Sequence, residues 1–430
     1  MKRTGKIYAA AFLCIGLGIA LTGGGILAGG WPGIAVGKDG IRMADEFYKE
    51  AYRIEKTELE EFSSADIKIH SGNFYILPSD GFYLEYCLSG TDAEPSYTVA
   101  DKKLTFKQTG DLEFYIMNFT WGRDEEEYYV KLYVPEDIYL DTLQLNGDSG
   151  NAFLDKLLAD NVDIELSCGN LEAGQMQAEE VKLSLKSGNV SFESLLANKA
   201  MDIQMDFGNL TGEELSAEMF TVDSGYGNLR LTRANVDSAE LFLNSGNLTC
   251  EQLSAEKELS ISLESGELKA EKASAQRLEI DSNYGNVTLG ELEAQEAEIS
   301  ADSGNVKAQS CSSTSLAVTA QSGEVNIQES VFSDGSFSLS SGNLKLLQLS
   351  AQSLNISSNY GNVYLELSDE PSEYSMKLRT QYGSIQAPAA GSLLSDGSEE
   401  NFSVQGSSEK NIEVFCESGD ISIKQKKSST

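Results

Sequence analysis

Apolar residues recur along this chain in fixed columns, spaced as strands are and not as helices are. Taking a series of twelve glycines as markers, an aliphatic residue follows two positions later in eleven cases: Leu171, Val190, Leu210, Leu229, Leu248, Leu268, Val287, Val306, Val325, Leu344 and Val363. Five positions before the marker stand Ile164, Leu183, Ile203, Val222, Leu241, Ile261, Ile280, Ile299, Val318, Phe337 and Ile356. Seven before it, Val162, Val181, Met201, Phe220, Leu259, Leu278, Leu316 and Leu354 recur. A step of two within each run is strand alternation, with no 3.6-residue period. Between the third residue before the marker and the second after it the alternation slips a phase, which predicts a corner.

The markers are Gly150, Gly169, Gly188, Gly208, Gly227, Gly246, Gly266, Gly285, Gly304, Gly323, Gly342 and Gly361, 19 or 20 residues apart. Glycine takes the positive φ a corner needs, and asparagine is the next most tolerant residue. Asparagine follows most of them: Asn151, Asn170, Asn189, Asn209, Asn228, Asn247, Asn286, Asn305, Asn343 and Asn362. A strict period of this length means a solenoid whose repeats bury their faces on each other. The expected architecture is all-β: a parallel β-helix of about 19-residue coils. Each coil has at least two short strands and a polar return such as Ala178-Glu179-Glu180. Right-handed winding is favoured, and stacking at about 4.8 Å gives a rod of roughly 55–60 Å. The asparagines are expected to stack as a side-chain ladder, each amide bonding to the next.

Most coils carry serine just before the glycine and a larger residue three before it, as in Leu185/Ser187, Leu243/Ser245 and Leu339/Ser341. Three reverse this: Ser224/Tyr226, Ser282/Tyr284 and Ser358/Tyr360. The exchange predicts that both side chains share one interior volume, so that these tyrosines fill the core. A carbohydrate-stacking stripe is the alternative, although tyrosines three or four coils apart form no continuous platform.

The ends differ from the middle. Lys2, Arg3 and Lys6 precede an uncharged run over 7–28 long enough to cross a bilayer, and no cation follows until Lys38. This predicts a single N-terminal transmembrane helix with residues 1–6 in the cytoplasm and the rest outside the membrane. A cleaved signal peptide, giving a secreted chain, is the alternative. Gly25 and Gly29 have helix-dimer spacing, and Cys14 lacks the small residue expected before a lipid-modified cysteine. Residues 29–62 read as a charged, partly helical stalk, and 63–145 as a small β lid on the first coil. The repeats proper occupy 146–365. Degenerate coils and a cap follow over 366–425, with a Gly/Ser/Ala/Pro loop over 387–399 and a polar tail over 426–430.

Composition narrows the function. The formal net charge is −35, which disfavours nucleic acid as a partner and leaves a membrane (through the N-terminal helix), a cell-wall polymer, a surface protein or a cationic peptide. The chain has one histidine, His70, so a histidine triad or a histidine-rich zinc site is not expected. No P-loop, CxxC pair or dinucleotide fingerprint occurs. Asp148, Asp206 and Asp302 could touch calcium, but as turn acids they are expected to be solvated. No catalytic residue, cofactor or metal site is expected, and a glycan-active β-helix enzyme stays a remote alternative. Cys168, Cys250 and Cys311 fall in different columns and are expected to be small buried hydrophobes without a disulfide.

Two segments lend the chain a resemblance. One is Ile67-Lys68-Ile69-His70-Ser71-Gly72-Asn73 running on to Pro78. The other is Tyr129-Val130-Lys131-Leu132-Tyr133-Val134-Pro135, which leads to Ser149-Gly150-Asn151. With the serial Ser-Gly-Asn coils, residues 63–425 resemble the bacterial putative-adhesin family of β-strand-repeat envelope proteins. The resemblance implies a cell-surface β-solenoid with no catalytic motif to carry over. On that basis the chain is expected to be a non-enzymatic, membrane-anchored surface interaction or scaffold module. An envelope-stress sensor binding a wall component or cationic peptide is the alternative.

Overall fold

The computed structural model describes residues 34–37, 40–43, 50–110, 117–119, 127–388, 391–395 and 399–426. It is an all-β parallel solenoid of about 12 turns. Between most glycine markers a coil runs as one long strand, for example Leu171–Ser187 or Leu229–Ser245. Seven side chains of the first of these are buried: Leu171, Ala173, Met176, Ala178, Val181, Leu183 and Leu185. Most successive intervals are two. Each longer interval is a corner, at Gly174-Gln175, at Glu179-Glu180 and at the glycine marker. The coil therefore has three faces. The segment expected as a polar return is itself hydrogen-bonded strand, and Ala178 in it is buried.

Strand pairing keeps the columns in register. Leu171 pairs with Val190, Val190 with Leu210, Leu210 with Leu229 and Leu229 with Leu248. The two 20-residue coils absorb their extra residue as a register shift at the Glu179-Glu180 type of corner, near Asn198-Lys199 and Glu256-Lys257. An extra residue there leaves every inward side chain inward, whereas a slip within a face would turn the core residues out.

The two ends are built by insertion. Ser64–Ser71 pairs in parallel with Tyr139–Ser149, and Asn73–Ser79 pairs with both Ala152–Cys168 and Tyr129–Pro135. Residues 64–79, expected within a small β lid on the first coil, are thus a turn of the solenoid itself, with Gly72 in the glycine column. Tyr52–Glu58 runs antiparallel to Tyr83–Leu88. Further towards the N-terminus, Ile34–Gly37 pairs with Gly40–Met43 and with Met117–Phe119. Among its described residues the stalk, expected to be partly helical, holds three strands and no helix. At the other end Asn411–Ser418 lies between Leu344–Tyr360 and Ser375–Tyr382. Ser418-Gly419-Asp420 stacks directly on Tyr360-Gly361-Asn362, and Tyr382-Gly383-Ser384 follows beyond it, the reverse of their sequence order. Within the expected 387–399 loop, Ser392–Ser395 forms an antiparallel strand with Glu400–Val404.

The expected membrane helix, 7–28, lies outside the described residues. Among the described residues no helix is long and apolar enough to cross a membrane.

Candidate functional site

Three neighbouring columns meet at the glycine corner: the residue before the marker, the glycine and the residue after it. The glycine column dictates the other two. Gly227 has φ +151°, and a Cβ there would lie 1.6 Å from the Gly208 carbonyl oxygen. Both the backbone angle and the space admit only glycine. Its N–H donates to the carbonyl of Ser245 at 2.9 Å, tying the corner to the next coil. Gly72 and Gly419 share this conformation, at φ +134° and +148°. Ser418-Gly419-Asp420 belongs to the expected degenerate coils, and Ser71-Gly72-Asn73 carries the same motif ahead of the serial run.

The asparagines form the second column. Asn170 donates its backbone N–H and its Nδ2 to Asn151 Oδ1, at 2.8 and 3.0 Å. The same pair of bonds joins Asn189 to Asn170, Asn209 to Asn189, Asn228 to Asn209 and Asn247 to Asn228. Asn73 starts the run beneath Asn151. Glu267 and Glu324 interrupt it: each donates its backbone N–H to the asparagine below. Asn286 and Asn305 pair above the first break, and Asn343 and Asn362 above the second. Asp420 and Ser384 complete the column at the C-terminal end.

The third column, just before the glycine, reverses one expectation. Tyr226, Tyr284 and Tyr360 do not fill the core. They are 53, 66 and 60 % exposed, while Ser224, Ser282 and Ser358 are the buried partners. The two positions point to opposite sides of the strand, so they share no volume. Burial of the serines is costly at two of them, since Ser282 Oγ and Ser358 Oγ are buried without a hydrogen-bond partner. Phe207 and Tyr382, 55 and 65 % exposed, belong to the same column. Phe207 and Tyr226 stack one coil apart, with centroids 5.1 Å apart and planes 6° from parallel. Every other residue here from Ser149 onward is serine, apart from Cys168, which is exposed and so corrects its expected burial. Cys250 and Cys311 are buried, and burial pushes both thiols up to about 12. The five described cysteines are free thiols.

Titratable clusters lie at the ends of the rod. Near the N-terminal end Glu85 accepts hydrogen bonds from Tyr129 at 2.8 Å and Tyr133 at 2.7 Å, with Lys131 at 3.5 Å. Burial would raise this carboxyl, but those bonds outweigh burial and hold it below its ordinary value. Burial and Glu85 push both tyrosines up to about 12. At the C-terminal end Asp369 accepts from Ser350, Tyr374 and Lys410 at 2.7, 2.8 and 3.0 Å. These bonds likewise overcome burial and lower its pKa. Both clusters are internally satisfied, as buried polar groups generally are. Of the three turn acids, Asp148 lies 2.8 Å from His70 Nδ1. Among the described residues no group of three or more His, Cys, Asp or Glu is gathered as a metal set.

A family model described as Toastrack DUF4097 matches residues 54–253 and again 254–424. The chain belongs to that family. Among solved structures, it is similar to a putative adhesin from Bacteroides fragilis at 16% identity, over 57% of this chain and 97% of that one, with a TM-score of 0.31. A putative adhesin from Parabacteroides distasonis matches at 13% identity over 71% and 98%, with a TM-score of 0.24. A putative cell adhesion protein from Clostridium sporogenes matches at 12% identity over 88% and 100%, with a TM-score of 0.18. No curated protein matches the chain.

Proposed function

We propose that the chain is a membrane-anchored, extracytoplasmic interaction rod, an adhesin-like scaffold that binds a surface partner and performs no catalysis. The observation that carries this reading is the outward aromatic column. Of eleven exposed large apolar residues among the described residues, five stand just before a glycine corner: Phe207, Tyr226, Tyr284, Tyr360 and Tyr382. Exposed aromatic side chains cost solvation and aggregation resistance, and gathering them on one edge of a regular scaffold suits contact with a partner. The basic N-terminus and the apolar run over 7–28 support anchoring, with the rod on the far side of the membrane.

The test is co-sedimentation of the full chain in detergent micelles with purified cell wall, across salt. Saturable binding that falls on Tyr226→Ala and Tyr284→Ala supports the proposal. Absence of binding at every salt concentration removes a wall partner. Protection of residues 50–426 from protease in wall-stripped cells removes the topology. The net charge of −35 favours a second reading, capture of a cationic peptide. That reading predicts peptide binding that weakens steeply with salt and ignores the aromatic substitutions.

A further inference from the structure

We propose that Tyr360 and Tyr382 are the walls of a carbohydrate clamp that closes on one neutral pyranose ring above Ser418. This deepens the proposed function by naming the ligand class, and it rests on reading the column before the glycines as a recognition edge.

The clamp exists only because of strand insertion. In sequence Tyr360 and Tyr382 are separated by most of a cap, and Ser418 is remote from both. In the fold Tyr360 pairs with Ser418 and Ser418 with Tyr382. The column is continuous there, since the N–H of Gly361 donates to the carbonyl of Ser418 at 3.0 Å and that of Gly419 to the carbonyl of Tyr382 at 2.9 Å. Two tyrosines, each at least 60 % exposed, thus flank one small residue.

Spacing singles out this pair. Phe207 and Tyr226 show how rings sit in the column: parallel, one strand spacing apart and in contact. No ligand enters between those two. From Tyr226 to Tyr284 the register advances three spacings, about 14 Å, and from Tyr284 to Tyr360 four, about 19 Å. Such gaps are too wide for one ring to touch both walls. Tyr360 and Tyr382 are two spacings apart, about 9.6 Å. One further ring fits midway, about 4.8 Å from each, which is ordinary stacking separation.

The chemistry of the surroundings selects the ring. A pyranose offers apolar C–H faces to the two tyrosines and a rim of hydroxyl groups to whatever lies beside them. Asn359 and Glu417 flank the gap on one side and Asp420 on the other. Asp420 Oδ1 accepts from both the N–H and the hydroxyl of Ser384 at 2.8 Å, which fixes the carboxylate and leaves Oδ2 for a ligand hydroxyl. Two carboxylates accept hydrogen bonds from sugar hydroxyls and repel an acidic sugar. An all-carbon aromatic ligand would leave them unused.

The full chain in detergent micelles is titrated calorimetrically with cellohexaose, chitohexaose and an oligogalacturonate. The expected result is binding of at least one of the two neutral oligosaccharides. Tyr360→Ala and Tyr382→Ala each weaken it about 3- to 10-fold, the loss of one stacked face. Ser418→Tyr fills the gap and abolishes it. Phe242→Ala, at an exposed aromatic residue outside the column, leaves it unchanged. All four substitutions replace outward side chains, and unchanged thermal melting confirms that the fold is kept. The proposal is overturned if neither neutral oligosaccharide binds, if binding survives Ser418→Tyr, or if the acidic oligosaccharide binds best. The wall co-sedimentation run beside it separates the two failures. Wall binding without oligosaccharide binding removes the clamp and keeps the interaction rod, whereas loss of both removes the rod as well.

Discussion

At the scale of the residue, the glycine corner tolerates the least change. An alanine at Gly227 would carry a Cβ into the backbone of Gly208 and hold a non-glycine residue at φ +151°. Backbone strain alone costs about 1–3 kcal/mol, and the clash adds to it because carbonyl oxygen of a paired strand cannot move aside. Gly227→Ala should therefore lower stability by more than about 3 kcal/mol, measured as a fall in denaturation midpoint. A loss below about 1 kcal/mol would mean that the corner relaxes. Ser282 makes the opposite case, because its buried Oγ has no partner. Ser282→Ala removes the unsatisfied group and should stabilise by about 1 kcal/mol; a lower melting temperature would show that the hydroxyl is bonded in solution. The glycines were readable because nothing else fits there, and a requirement that admits one residue leaves a periodic mark. The tyrosines misled for a definite reason. Inward residues stand three before and two after the marker, so four consecutive positions between them point outward, and alternation cannot be counted through that stretch. The exchange of large and small residues with Ser224 places Tyr226 inside only if both positions face one volume, and at the corner they do not.

At the scale of the element, the asparagine ladder and the two end caps behave differently. Asn228 accepts two bonds from Asn247 and gives two to Asn209. Asn228→Ala loses the side-chain bonds on both sides and should cost about 1–2 kcal/mol. Glu267→Asn should bridge the break between Asn247 and Asn286 and gain about 0.5–1 kcal/mol. Equal melting temperatures for the two variants would show that the ladder carries no stability. The caps respond to acid instead. Glu85 and Asp369 both have folded pKa values below their ordinary ones. Each therefore contributes stability that is complete above the unfolded-state value and is lost as pH falls through the folded one. Unfolding on acidification should begin at the ends, and Asp369→Asn should flatten the pH dependence of the C-terminal end below about pH 4. Amide exchange resolved along the chain reads this directly; uniform acid loss along the rod would refute it. The repeats were legible because each coil restates the same pairing. The caps were legible only in their corners, Ser71-Gly72-Asn73 and Ser418-Gly419-Asp420: Ser64–Ser71 and Asn411–Ser418 pair with strands tens of residues away, and no local pattern gives the order of stacking.

At the scale of the whole molecule, charge decides how the rod answers to salt. The ion pairs among the described residues mostly join exposed side chains, such as Lys257 to Asp237 and Lys272 to Glu291, and such pairs contribute about 0–1 kcal/mol each. Against them stands a surplus of 35 negative charges, from 67 acidic and 32 basic residues. Parallel stacking sharpens the repulsion, because a carboxylate in one coil can meet another one strand spacing away, as Glu279 meets Glu298. At about 4.8 Å such neighbours lie well inside a Debye length of about 8 Å at physiological ionic strength and about 30 Å in dilute buffer. The many acids further apart are the ones that added salt screens. Not every column is acidic: Arg230, Lys269, Lys307 and Lys345 alternate with Thr249, Thr288 and Asn326 in the column three after the glycine. Glu251, Glu267, Glu271 and Glu324 stand beside that row, so it makes no positive strip, and the rod keeps its negative field. Net repulsion should outweigh the pairs. The melting temperature should rise as salt increases from about 0.01 to 0.15 M, and the gain should come from the coils between Gly266 and Gly304, where acids are densest. If salt lowers the melting temperature instead, the ladders of opposite charge, Glu258 with Arg277 and Glu296 above all, hold the coils together more strongly than their exposure implies.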